Sequence, residues 1–292
     1  MADVPLLGAA AAETEPAVRS TVRDASEALA QGPVGAPVAT AALVGSAIDR
    51  ALAEKLGVQP LVAQELPLPP GAGLAPGGFP PVLVLSRGSV VKFSGDAVVN
   101  AANPGCQVGG GVDGAITAAG GRALKDARAK LPRLDDKGTR CETGSAVTTI
   151  GGDLRAQWCI HAVGPDYNEM SGGWQSCAPG CFRGFLALGP GGSLSRGDEL
   201  LHSTYVAAMR CAQEAGAQTV GFSLLSSGIF KGRRSLKDVL AIGVAAVEQA
   251  AYPELRAVHF VAFKNEEVHA LEAAAWQVWR ARGLRQPASK GS

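Results

Sequence analysis

From residue 82 onward the chain alternates two hydrophobic periods, and this alternation restricts its folding more than any other feature. Short runs rich in β-branched or aromatic residues, several of them continuously apolar, lie at Val82–Leu85, Ala97–Ala101, Ala146–Ile150, Trp158–Val163, Thr219–Leu224 and Ala257–Phe263. Between them Val112–Lys130, Glu199–Ala215, Leu236–Ala251 and Glu266–Arg282 repeat their apolar residues at helical spacing. Strands without alternation are buried on both faces. The expected fold class is therefore α/β, a largely parallel or mixed sheet with helices on both sides. Ligands of such sheets sit beyond the carboxyl ends of the strands.

The first 80 residues differ in character. They are rich in Ala, Pro and Gly and hold eight acidic against four basic residues. Ala41–Leu56 places Leu43, Val44, Ala47, Ile48, Ala51, Leu52 and Leu56 at helical spacing, and Val18–Ala30 does so more weakly, so one or two docking helices are expected. Residues 67–81 read as an extended linker, because proline removes donors and glycine raises chain entropy. The expected organisation is an extension over 1–80, a folded domain over 81–284 and a tail over 285–292.

A net charge of +1 gives no bulk attraction for nucleic acid or an anionic membrane, so any anion site must be local. The longest uncharged stretch, Ala28–Ile48, is broken by Pro33 and Pro37, and no membrane span is expected. The start, MADVPLLGAAAAETEP, carries Asp3, Glu13 and Glu15 and fits no usual signal sequence. Six irregularly spaced cysteines suggest reduced thiols and an intracellular location. Cys177 and Cys181 are four apart without a second ligand pair nearby, so no metal is expected. His161, His202, His259 and His269 are dispersed; His161 and His259 fall on strand patterns and read as core residues.

The densest chemistry runs from Asp96 to Gly121. A strand delivers Asn100 and Asn103, and a glycine turn, Gly109–Gly111, opens onto a helix beginning near Val112. Glycines let backbone approach a ligand, and a helix N-terminus offers unpaired N–H groups with a positive dipole, so a phosphate or diphosphate is expected. Gly109, Gly111 and Gly114 also satisfy G-x-G-x-x-G. A dinucleotide turn follows its strand closely, however, and here the first glycine comes eight residues after the strand end at Ala101, which makes that reading the lesser one.

The segments VVNAANPGCQVGGGVDGAI, CETGSAVTT (Cys141–Thr149), CIHAVGPDY (Cys159–Tyr167), FSLLSSGIF (Phe222–Phe230) and VHFVAF (Val258–Phe263), in this order, resemble the macrodomain family, in its branch that includes mono-ADP-ribosyl hydrolases. The resemblance implies a three-layer α/β/α fold over about residues 82–282 and ADP-ribose as ligand, with no cofactor. It implies that Asn103 holds the distal ribose and that the amides of Gly110, Gly111 and Val112 meet the diphosphate or that ribose. Gly109, Ala101, Ser226, Ser227, Gly228, Ile229 and Phe230 would complete the walls, and Phe263 would stack on adenine. Asn100 is expected to brace the loop. Asp113 and Asn103 would carry catalysis, Asp113 by orienting water at the anomeric carbon. An Asp in a first helical turn also favours the macrodipole without any catalytic part.

Three departures stand out. The family's Gly-Asp pair at the adenine is Gly88-Ser89 here, followed by Val90, so the charge-assisted bond to the adenine amino group is missing. Lys231, ahead of Gly232, Arg233 and Arg234, stands where a glycine usually follows the aromatic, and Tyr167–Gly197 reads as a long inserted loop. The expected activity is hydrolysis of mono-ADP-ribose linkages on proteins or of related ADP-ribose esters. An ADP-ribose reader without turnover and an interaction protein with a degenerate pocket are the alternatives. The expected partners are ADP-ribose or an ADP-ribosylated protein, with no sequence-specific nucleic acid and no membrane; the sequence leaves the oligomeric state open.

Overall fold

The computed structural model describes residues 53–68, 72–74, 80–170 and 195–284. The expected helix Val18–Ala30, the expected helix Ala41–Leu56 up to residue 52, Cys177 and Cys181, most of the insertion and the tail lie outside the described residues, while residues 53–56 are helical.

Seven strands form one sheet: β1 (Gln59–Glu65), β2 (Val82–Arg87), β3 (Ala97–Ala101), β4 (Ala146–Ile150), β5 (Trp158–Ala162), β6 (Thr219–Phe222) and β7 (Ala257–Ala262). Their order is β1-β2-β7-β6-β3-β5-β4. The five inner strands run parallel, while β1 and β4 close the edges antiparallel to β2 and β5. Among the described residues five α-helices of nine or more residues cover it: α1 (Gly111–Ala119), α2 (Gly121–Ala129), α3 (Arg196–Glu214), α4 (Leu236–Gln249) and α5 (Asn265–Ala281).

The alternating side chains of a strand explain the three layers. On β2, Leu83 and Leu85 enter the core formed with Leu201, Tyr205, Leu240, Val244 and Leu271 of α3, α4 and α5. Val82 and Val84 enter the opposite core, with Ile116 and Leu124 of α1 and α2 and with Leu56 and Phe93. Both faces are dry, which is why these strands carry no polar alternation.

Three local expectations change. A strand precedes Val82: Gln59–Glu65 pairs with β2, and Leu66 N donates to Pro81 O (2.7 Å), so residues 67–80 connect neighbouring strands of one sheet. Its pattern is hidden by Pro60, where the register slips, as proline does on an edge strand. The single helix expected over Val112–Lys130 is two, broken where Gly121 takes φ +65°; a Cβ there would meet Asp153 Oδ2 at 2.0 Å. The helix expected from Glu199 begins at Arg196, because Ser195 and Asp198 form a reciprocal capping box.

Candidate functional site

Parallel pairing places the ends of β2, β7, β6, β3 and β5 on one edge of the molecule, so the segments after Arg87, Ala262, Phe222, Ala101 and Ala162 emerge together. These segments carry every residue singled out above for binding. Gly88 N donates to Ala262 O (2.9 Å), tying the β2 end to that of β7, and Tyr167 N donates to Phe230 O (2.8 Å), tying the β5 loop to the β6 loop.

At the β2 end Ser89 precedes a 3-10 turn, Val90–Lys92, and its hydroxyl makes no capping bond. Val90 is buried in the core beneath, so only its backbone can face a ligand. At the β7 end Phe263 is 70% exposed, not packed between strand and terminal helix, and its amide is held by Glu267 Oε2 (2.9 Å). On the β6 loop Ile229 is 85% and Phe230 41% exposed. The hydroxyls of Ser226 and Ser227 are taken by Pro165 O and Leu224 O (both 2.8 Å), and Ser226 adopts φ +51°. This loop therefore offers a ligand its backbone and apolar side chains.

The β3 loop leads into α1. Ala101, at the strand's last position, and Asn103 are half-buried; Gly110 and Gly111 are exposed. The first amides of α1 have no intrahelical acceptor and open to solvent at this exposed turn. Asn103 Nδ2 donates to Gln107 O (3.1 Å), so Asn103 braces its own loop. Asn100, expected to do so, instead lies fully buried behind it, its Nδ2 reaching Asp113 Oδ1 (2.6 Å) and His161 Nδ1 (3.2 Å).

Asp113 is buried at 3% exposure, and its Oδ1 pairs with Arg128 Nη1 at 2.8 Å. Its Oδ2 is buried without a hydrogen-bond partner and faces Gly109, where a Cβ would come within 2.6 Å of it. Asp113 also lies in the first turn of α1, where its charge suits the macrodipole. A buried carboxylate with one satisfied and one open oxygen can stabilise positive charge nearby, and it reaches bulk water only past the loop.

The macro domain family profile matches residues 99–180. A macro domain-containing protein of Cupriavidus necator is 38% identical over 184 residues, 63% of this chain and 91% of that protein. An O-acetyl-ADP-ribose deacetylase of Escherichia coli (strain K12) is 32% identical over 188 residues, 64% of this chain and 90% of the relative. The chain belongs to the macro domain family. The fold agrees: a macrodomain of Oceanobacillus iheyensis, solved with ADP, superposes with a TM-score of 0.55 at 22% identity over 70% of this chain and 94% of that one.

In this macro domain Arg128, which stands behind the glycine loop, was not singled out from the sequence. Arg128, 1% exposed, sends Nε to Cys106 O and Nη2 to Gln107 O (both 2.8 Å), and Nη1 also reaches Thr117 Oγ1. The signal was available: Leu124 and Arg128 lie four apart on the buried face of α2, and an arginine on an apolar stripe needs a buried partner. His161 continues the network to Thr149 Oγ1 (2.9 Å). Of the basic cluster, Arg234 is spent on Asp198 (2.8 and 2.9 Å) and Lys231 Nζ on Arg234 O (2.8 Å), leaving Arg233 as an exposed cation. Among the described residues no group of three or more His, Cys, Asp and Glu side chains is arranged to hold a metal, and no helix is long and apolar enough to cross a membrane.

The two strand histidines are core residues. Burial pushes His161 down to about 3, with the Arg128 charge adding to the effect, and burial alone does the same to His259. Both are held neutral in the fold, whereas an unfolded chain takes up their protons below about 6.5. The unfolded state then binds more protons, so stability is complete above pH 6.5 and falls as pH drops toward 3. Each histidine contributes a slope of up to ~1.4 kcal/mol per pH unit. Urea unfolding at pH 7, 5.5 and 4.5 is expected to show this loss, and His259→Gln is expected to reduce it.

Proposed function

We propose that this macro domain binds ADP-ribose across the carboxyl edge of the sheet and hydrolyses ADP-ribose conjugates, esters or mono-ADP-ribosyl linkages, without a cofactor. The observation that carries the reading is the turn Gly109–Gly111, exposed at the N-terminus of α1 with Asn103 beside it and the open oxygen of Asp113 beneath it. Such a turn suits a diphosphate, because its amides and the helix dipole attract the anion where no side chain intrudes. Relatives named O-acetyl-ADP-ribose deacetylase, aligned over 90% of their length, support ADP-ribose esters as a substrate class. On this reading Asn103 holds hydroxyls of the distal ribose, while Ala101 and Val112 shape the floor. Ser226, Ser227, Gly228, Ile229 and Phe230 cover the diphosphate and that ribose. Ser89, Val90 and Phe263 take the adenine, and Asp113 orients water or stabilises positive charge at the reacting carbon.

One observation favours a second reading, an ADP-ribose binder without turnover. Asp113 is committed to Arg128 and Asn100 inside the protein, an arrangement equally suited to holding the loop in shape.

Calorimetric titration with ADP-ribose, together with acetate release from O-acetyl-ADP-ribose, tests the two readings. Binding with release supports the hydrolase, binding alone the reader, and no binding removes both. Gly110→Ala sharpens the test. A Cβ on Gly110 meets nothing within 4 Å and its φ of −89° suits alanine, so stability is expected to stay within ~0.5 kcal/mol. The methyl would stand where the diphosphate rests, and affinity is expected to fall at least about tenfold, ~1.4 kcal/mol. Unchanged affinity would place the phosphates elsewhere.

Phe263→Ala makes a matching test at the other end of the groove. At 70% exposure the ring adds little to the core, so the melting temperature is expected to hold. Loss of stacking is expected to weaken ADP-ribose by ~1–3 kcal/mol. Ribose 5-phosphate, which lacks adenine, is expected to bind the variant and the parent alike.

A further inference from the structure

We propose that Arg128 is a positioning residue that couples the shape of the ligand loop to the aim of the Asp113 carboxylate. The inference rests on the reading that this loop receives the diphosphate. One buried guanidinium makes both connections: Nε and Nη2 hold the carbonyls of Cys106 and Gln107 in the loop, and Nη1 holds Asp113 Oδ1 on α1. Its planar fork allows this, since three nitrogens point in fixed directions to three acceptors on two elements. The open Asp113 Oδ2 lies directly under Gly109, so a shift of the loop changes what that oxygen meets. Cys106 itself takes φ +48°, a conformation a non-glycine residue keeps only where its surroundings hold it, and Arg128 binds its carbonyl. Ligand contact at the glycines is thereby transmitted to the carboxylate, and no arrangement of Asp113 is independent of the loop.

The test compares Arg128→Lys, Arg128→Gln, Asp113→Asn and the double variant Arg128→Gln/Asp113→Asn with the parent chain. Melting temperature, ADP-ribose affinity, kcat and KM for O-acetyl-ADP-ribose, and amide hydrogen exchange of residues 105–111 are measured for each. Lysine restores the charge but cannot serve two loop carbonyls and a carboxylate together. Arg128→Lys is therefore expected to melt near the parent, bind ADP-ribose at least fivefold more weakly and exchange its loop amides at least tenfold faster. The double variant, with no buried charge left unpaired, is expected to fold yet to bind no more tightly than Arg128→Gln. If Arg128→Lys binds within twofold of the parent with unchanged loop exchange, or if the double variant recovers the affinity of Asp113→Asn, Arg128 is only a counter-ion and the proposal is wrong. Should the parent itself fail to bind ADP-ribose, the functional reading falls. The exchange of residues 105–111, measured without ligand, then decides the hold of Arg128 on the loop: faster in Arg128→Lys supports it, unchanged overturns it.

Discussion

Asp113→Ala is expected to be the most damaging single substitution in the site, in both stability and function. It leaves the Arg128 guanidinium, 1% exposed, without its carboxylate, and it removes one of the two partners of Asn100 Nδ2, which is 2.6 Å from the same oxygen. Breaking a buried ion pair from one side costs about 3–5 kcal/mol, mostly the cost of an uncompensated buried charge. For a domain of this size that is a fall of on the order of 10 °C in melting temperature. Hydrolysis is expected to drop by ~10²-fold or more on the catalytic reading. Asp113→Asn is the milder comparison: its amide oxygen still accepts from Arg128, but the carboxylate charge is gone and the buried guanidinium is left without a counter-charge, so its melting temperature is read beside its acetate release. Full acetate release by a well-folded Asp113→Asn would assign Asp113 to the scaffold. Lost release with retained ADP-ribose affinity would assign it to the chemistry.

The second large effect is expected at Gly109, where alanine adds one methyl in the worst place available in the loop. Its Cβ would come to 2.6 Å from Asp113 Oδ2 and 3.2 Å from Asn103 Nδ2. Neither neighbour yields freely, because Asp113 is fixed by Arg128 and Asn100, and Asn103 by Gln107 O. Overpacking of this kind costs ~1–3 kcal/mol. Here it also displaces the two side chains assigned to turnover and the ribose, so ADP-ribose affinity is expected to fall by an order of magnitude or more and hydrolysis further. The contrast with Gly110→Ala is the informative part. Gly109→Ala acts through the protein beneath the loop and lowers the melting temperature, whereas Gly110→Ala acts only through the ligand. If both variants melt like the parent and bind equally well, the loop is not where the ligand lies.

Six of the seven strands, the edge strand β4 among them, could be read directly from the chain. Ala97–Ala101 and Ala146–Ile150 have the expected bounds, and the others differ by one or two residues at an end. Runs such as AVVNA and TVGF are short, apolar and bounded by polar or turn residues, and burial on both faces leaves no competing pattern. The glycine turn and the helix behind it were legible for a related reason, since Gly109–Gly111 before an apolar helix has few other uses. Gln59–Glu65 was not legible, because Pro60 breaks its alternation where the register slips. The break at Gly120–Gly121 was missed because it depends on Asp153 and Gly152 crossing from a distant loop.

The sequence by itself determined the layered α/β class and the edge at which the parallel strands end, and its family resemblance named the residues expected along that edge. The class and the edge follow from local periodicity and from the direction of parallel strands, the residues from the resemblance of their motifs, and none of these needs knowledge of a distant contact. Only the tertiary structure decided which side chains stand behind the loop. Nothing in residues 100 to 128 taken in order shows that Asn100 turns to Asp113 and His161, or that Arg128 reaches back from α2 to hold Cys106, Gln107 and Asp113 together. A charge can be buried only where the whole fold supplies its partners, and those partners are brought together by packing across the sheet and between two helices, not by spacing along the chain.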